Sequence, residues 1–185
     1  CPFHPATTSF ALETCQSSEL FHLVHNFHLI TSPDMTEAMV DRCITELQTC
    51  RDQAHVCSLL RFAVQSGNVV RFEPAKVFIN AILTDPGFVK GMKSSHMSNV
   101  LWFLGASRHY DSEMYKTLTA HLLTNIEDFV DQPRQACRIF LSLGTLSSLG
   151  QHESAAESQL AMTTLRSVFV AFQPALINVT AKVAP

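Results

Sequence analysis

Three histidines, His22, His25 and His28, recur at every third residue, a spacing at which helical side chains begin to converge on a metal ion. Each three-residue step turns a helix by about −60°, so the outer two point roughly 120° apart. Two could share a metal and all three converge poorly, so histidines on a helix face are expected and no metal is. The run Gly87 to Ser94, GFVKGMKS, has the residue types of a phosphate loop. Met92 interrupts its Gly-Lys-Ser order and no strand precedes it, so the backbone cradle that such a loop needs would not form. No HExxH, GxSxG or paired-carboxylate motif is present, and Gly144 to Gly150 is preceded by no evident base partner for its serines. The chemistry-bearing residues therefore point away from catalysis: no enzyme, no cofactor and no small-molecule substrate is expected.

Binding chemistry is better represented. Trp102, Phe103 and Tyr110 could stack on nucleic-acid bases, although helical spacing assigns Trp102 and Phe103 to packing between helical pairs. The formal charge is −3, which gives no overall basic field for a polyanion. Its distribution is uneven: residues 1–50 carry −5, residues 51–93 carry +3, residues 94–131 carry −3 and residues 132–185 carry +2. The basic stretch contains Arg51, Arg61, Arg71, Lys76, Lys90 and Lys93. Arg108 stands near a helix end, and Arg134 and Arg138 share a helix face at i, i+4. Arg61, Arg71, Lys76, Lys90, Lys93, Arg108, Arg134 and Arg138 are thus the candidate phosphate contacts. Ordinary solvated charges and surface ion pairs are the competing reading of the same residues.

The elements that must position these side chains are helical. Of the 185 residues, 46% are hydrophobic and only 16% charged, against roughly 25% charged in an average domain. Such a chain builds a core and keeps apolar surface for partners, and no apolar run approaches the roughly 18 residues of a membrane span. Met97, Val100, Leu101 and Leu104 fall at i, i+3, i+4, i+7, with Ser94 as the expected N-cap. Tyr115, Leu118, Leu122 and Ile126 make a second stripe behind Asp111, an expected cap, and Glu113, an acid near the helix start. Neither helix can bury its stripe alone, so the stretch from Ser94 to Phe129 reads as a helical hairpin.

Residues 1–16 read as an arm, 17–172 as a helical domain and 173–185 as a tail that is irregular or holds one short helix. Helices are expected from Ser17 to about Ile30, from Pro33 through Leu47, and from Asp52 to the Ser66-Gly67-Asn68 stop. Val69 to Phe72 reads as an extended link, Glu73-Pro74 as the next helix start and Asp85-Pro86-Gly87 as its end. Pro133 opens a helix that stops at Leu149-Gly150, and Ser154 with Glu157 matches a capping box for a last helix ending before Pro174. Leu60, Leu101 and Leu143 then stand at equivalent places, 41 and 42 residues apart. The expected fold is all-α: about four helical hairpins stacked as a short α-solenoid with a period of about 40 residues. Cys43, Cys50 and Cys57, spaced by sevens, fit neither a zinc site nor a paired disulfide hairpin, so reduced thiols are expected.

The segment Asn99-Val100-Leu101-Trp102-Phe103-Leu104, followed by His109-Tyr110-Asp111, resembles the octotricopeptide repeat. It also resembles the related repeats of FAST-kinase-like and RAP-domain proteins, in which an N-L-L-W-A-L-A-x-L-G-H-Y-D helix end leads into a partner helix. Leu143 to Gly150 is a weaker second copy, and the similarity is clearest over residues 94–150. Gly105-Ala106-Ser107-Arg108 stands where the repeat has Ala-Lys-Leu-Gly, and the PPPEW signature is absent, so the resemblance implies general character rather than a base-reading code. It implies a non-catalytic subunit of a mitochondrial ribonucleoprotein in the matrix, with the mitochondrial ribosome first, docking rRNA or other mitochondrial RNA and neighbouring ribosomal proteins. The alternatives are a mitochondrial RNA stability or processing factor holding single-stranded RNA, and a structural subunit of a mitochondrial membrane complex.

Overall fold

The computed structural model describes residues 15–27, 33–130, 132–150 and 154–183. Among them every regular element is helical, and none is both long and apolar enough to cross a membrane. The expected arm at residues 1–14 and His28 to Ile30 lie outside the described residues. The chain falls into two compact units, residues 1–79 and residues 80–185, each described by itself.

In the first unit, α1 (Ser17–His25), α2 (Pro33–Thr49) and α3 (Gln53–Gln65) pack against one another. Asp52 caps α3 as expected, its carboxylate accepting from the His55 backbone N–H at 2.8 Å. Leu20, Val24, Met39, Val40, Leu47, Leu59, Leu60 and Phe62 make the core. Aromatic contacts close its edge, with Phe21 stacked on His55 at 3.5 Å and Phe27 edge-on to Phe62 at 4.8 Å. α1 ends at His25, short of the expected Ile30.

Val69 to Phe72, expected as an extended link, is instead the start of a 3₁₀ helix, Val69–Ala75, which also takes in Pro74. In a 3₁₀ helix side chains at i and i+3 eclipse, and Phe72 and Ala75, three apart, are both fully buried. Burial of the Phe72 ring, worth about 1.5–3 kcal/mol, outweighs the β-preference of two adjacent valines. The α-helical register begins only at α4 (Lys76–Leu83). Beyond it, Asp85 does not simply end a helix. Its carboxylate accepts from the Gly87 N–H at 2.8 Å and starts a single-turn helix, α5 (Pro86–Val89).

The second unit continues with α6 (Ser94–Ala106), α7 (Ser112–Thr124), α8 (Glu127–Val130), α9 (Pro133–Gly150) and α10 (Ala155–Val183). Ser94 is not the cap of α6. Lys93 holds that place with extended dihedrals and no side-chain bond, and Ser94 is the buried first helical residue. Asp111 caps α7 as expected, accepting from the Met114 N–H at 2.8 Å. α7 stops at Thr124, so Ile126 lies beyond it and is only half-buried.

The expected capping box is half made. The Ser154 hydroxyl accepts from the Glu157 N–H at 3.1 Å, while the Glu157 carboxylate is taken by α7, accepting from Ser112 at 2.7 Å and Tyr110 at 3.0 Å. α10 runs through Pro174 instead of stopping before it. The ring removes the hydrogen bond to the carbonyl four residues back, which belongs to Val170, a residue 60% exposed.

Side-chain contacts fix helix directions in this unit. Trp102 meets Arg138 and Gly105 faces Ser142, so α6 and α9 run parallel. Ser112 reaches Glu157 and Tyr115 reaches Ala161, so α7 and α10 also run parallel. Tyr110 lies against Gly150 and Tyr115 against Ser147, so α7 runs antiparallel to α9. A Cβ built on Gly150 would stand 2.7 Å from Tyr110 Cζ, and the hydrogen bond to Glu157 prevents the ring from swinging away. Gly150→Ala should therefore cost about 1–3 kcal/mol by overpacking, measured by urea unfolding, with a smaller cost in a Tyr110→Leu background.

Burial pushes the Cys57 thiol up from 9.0 to about 12 and raises Cys43 further still. Above the ordinary value the unfolded chain releases these protons while the folded chain keeps them. Their effect on stability is therefore absent below pH 9 and grows unfavourable from there towards 12. Unfolding free energy should fall above pH 9 by up to about 1.4 kcal/mol per pH unit for each thiol. Cys57→Ala should have a shallower slope in urea titrations across that range.

Candidate nucleic-acid interface

The structure distributes the eight candidate cations into different settings. In the first unit Arg71 is bound to Asp41 at 2.6 Å and Glu37 at 3.4 Å, and Lys76 to Glu73. Both are answered by acids of their own unit. Arg61 is half-buried on α3, with its Nε enclosed and lacking a hydrogen-bond partner. None of the three stands ready on an open basic face.

The second unit brings the remaining five to two places and one helix end. A groove of ≈ 550 Å³ lies between the parallel helices α6 and α9 and is lined by Trp102, Gly105, Arg134, Arg138 and Leu141 among others. Gly105 faces Ser142 across it, and a Cβ there would stand in ordinary contact at 3.5 Å. The Arg138 guanidinium lies over the Trp102 ring at 4.2 Å, a cation–π contact of about 0.5–1 kcal/mol at a half-exposed site. Arg134 is exposed one turn earlier. An indole, two guanidiniums and the 70% exposed Leu141 thus share one groove. This arrangement can stack on a base and hold a phosphate, since guanidinium pairs with phosphate in a planar fork.

Lys90 and Lys93 flank a second, larger cleft of ≈ 930 Å³ between the loop before α6 and the outer side of α7. Lys116 of α7 joins them there and was missed in the sequence, because a single lysine amid a mixed helix carries no local signal. Lys116 also pairs with Glu157 at 3.4 Å. Glu157 is held below the usual carboxylate range by the hydrogen bonds from Ser112 and Tyr110 and by the charge of Lys116.

Arg108 occupies the end of α6 with φ 50°, in the left-handed region. Its N–H bonds to the Gly105 carbonyl at 3.2 Å and the His109 N–H to that of Leu104 at 3.0 Å, the pairing of a Schellman cap. α3 ends in the same way 41 residues earlier: Gly67, φ 72°, bonds to Val64, and Asn68 to Ala63. Arg108 therefore stands in a conformation suited to glycine, with its side chain exposed. His109, next to it, is anchored to Asn80 at 2.6 Å.

His22 and His25 are both exposed on α1, His28 is outside the described residues, and no group of three potential metal ligands occurs among the described residues. No protein-family model, curated protein or solved structure matches the chain.

A left-handed arginine costs about 1 kcal/mol or more relative to glycine. Arg108→Gly should raise stability by about that amount in urea unfolding, and at the same time weaken binding to RNA if the exposed guanidinium meets a phosphate.

Proposed function

We propose that the chain is a non-catalytic helical-repeat subunit of a mitochondrial ribonucleoprotein, with the mitochondrial ribosome first among these. Its stacked hairpins, of period about forty, meet rRNA phosphates and neighbouring ribosomal proteins. The observation that carries this reading is the coincidence of α3 and α6. Val56, Cys57, Leu59, Leu60, Phe62 and Ala63 are buried, and so are Met97, Ser98, Val100, Leu101, Phe103 and Leu104, each 41 residues on. The left-handed caps at residues 67 and 108 keep the same offset. α9 repeats much of the pattern 42 residues later, at Ala136, Ile139, Ser142, Leu143 and Leu146. A shared burial pattern with a shared cap supports one unit reused along the chain. The family resemblance of residues 94–150 is the support for a mitochondrial RNA setting.

The low overall charge favours a subunit facing protein as well as RNA over a free RNA binder. A second reading, a factor that stabilises or processes single-stranded RNA, is favoured by the Trp102–Arg138 pair with Arg134 alongside.

Sedimentation of the endogenous tagged protein through a sucrose gradient, with and without RNase, tests the proposal. Co-sedimentation with one ribosomal subunit that collapses after RNase is expected. A slow species in untreated lysate would sink the ribosomal reading, and a fast particle indifferent to RNase would indicate a protein-only complex. Strongly salt-dependent binding of isolated RNA by the purified protein, lost in Arg134→Ala/Arg138→Ala, would favour the second reading, because displacing counterions from phosphates makes affinity fall with salt.

A further inference from the structure

The ≈ 930 Å³ cleft beside α7 differs in kind from the groove that holds Trp102. Buried Val89 and Met92 form its floor, with Pro86 and Ala120 beside them, and Lys90, Lys93 and Lys116 stand around it. Lys90 and Lys93 are exposed, Lys116 is already paired with Glu157 at 3.4 Å, and among the described lining residues the one carboxylate is Asp128. Among the described residues, no aromatic ring except the His121 imidazole lines it. That imidazole is committed: one ring nitrogen meets the Met92 carbonyl at 3.2 Å and the other the Asn125 amide at 3.2 Å. These bonds, with the left-handed Gly91 at φ 101°, fix the loop that presents the lysines. A preformed site avoids much of the ordering entropy of binding.

Single-stranded RNA is usually held by bases stacked on aromatic faces, and the described residues of this floor, Val89 and Met92, provide none. An apolar floor with a cationic rim suits an amphipathic helix, whose apolar residues at i, i+3, i+4 and i+7 enter a groove while its flanks stay polar. Here the flanks must be acidic. We propose that this cleft is the docking groove for an acidic amphipathic helix of a neighbouring protein. Its aliphatic stripe covers Val89, Met92 and Ala120, and its carboxylates pair with Lys90 and Lys93. The inference rests on the reading of the chain as a docking subunit, but not on RNA contact.

The test places a photo-crosslinking amino acid at Thr117, on the cleft, in the full chain within its native particle, with a second probe at Thr145, in the α6–α9 groove, as comparison. Adducts are mapped by mass spectrometry. From Thr117 the expected adduct is a protein segment with apolar residues at helical spacing and a net negative charge, falling at least about fivefold in Lys90→Glu/Lys93→Glu, since reversed charges repel the partner. Gradient position and thermal unfolding of that variant should stay those of the parent. RNA adducts at Thr117, or a basic or non-amphipathic segment, would overturn the helix groove and leave the docking reading standing. Adducts at Thr145 with none at Thr117 would do the same. A chain that sediments alone and gives adducts at neither position would overturn both.

Discussion

The hydroxyl of Tyr115 has to find partners inside an apolar interior, and the second unit is arranged around that requirement. The residue is 2% exposed, and burial pushes its phenol above the ordinary range. Its oxygen meets the Ser147 hydroxyl at 2.9 Å, and both lie near the Ala161 carbonyl, at 3.5 and 3.4 Å. One residue from each of α7, α9 and α10 thus shares a polar knot, and leaving such a buried group unpaired costs about 1–3 kcal/mol. Apolar packing would tolerate small slips of one helix along another, but hydrogen-bond geometry does not. The knot therefore sets the register, and the nearby contacts at Gly150, Tyr110 and Glu157 follow from it. Because α9 is fixed on its inner side in this way, its outer side is held in place to present Arg138 over Trp102.

Much of the fold was legible in the sequence for a local reason. The eight longer helices announce themselves by stripes at the helical period, and Asp52 and Asp111 by their position ahead of those stripes. Leu60, Leu101 and Leu143, picked out by their apolar stripes, are all buried, on α3, α6 and α9. What escaped depended on distant partners. Val69 to Ala75 winds as a 3₁₀ helix because Phe72 has a core to enter, and nothing within that stretch says so. Glu157 looks like the second half of a capping box, yet the hydroxyls of Ser112 and Tyr110, 45 and 47 residues away in sequence, claim its carboxylate. Ser94 has the chemistry of a cap but lies one residue too late in the helix.

The candidate site divides along the same line. Arg134 and Arg138 were found together because i, i+4 spacing is local, and both stand in the groove with Trp102. Arg71 looked available in sequence because its acids, Glu37 and Asp41, lie 34 and 30 residues away. Lys116 looked ordinary because Lys90 and Lys93 belong to a different element. Arg108 holds a left-handed φ, a conformation suited to glycine. The arginine is the anomaly, and its cost is visible only in the backbone.

The parallel course of α6 and α9, opposite to α7 and α10, sorts the ends of the helices into two edges. At one edge lie the amino ends of α6 and α9, with Lys90, Lys93 and Arg134 beside them; at the other lie those of α7 and α10, with Asp111, Glu113 and Glu157. Each helix behaves as a macrodipole with about half a positive charge at its amino end. The acids are therefore set where that field favours them. The three cations stand against it, each unfavourable by about 0.3–1 kcal/mol at an exposed site. Their placement adds formal charge to partial charge of the same sign. An anion approaching the amino edge meets the two summed, offset in part by Glu127 and Asp128 just ahead of α9, in a unit whose acids and bases balance.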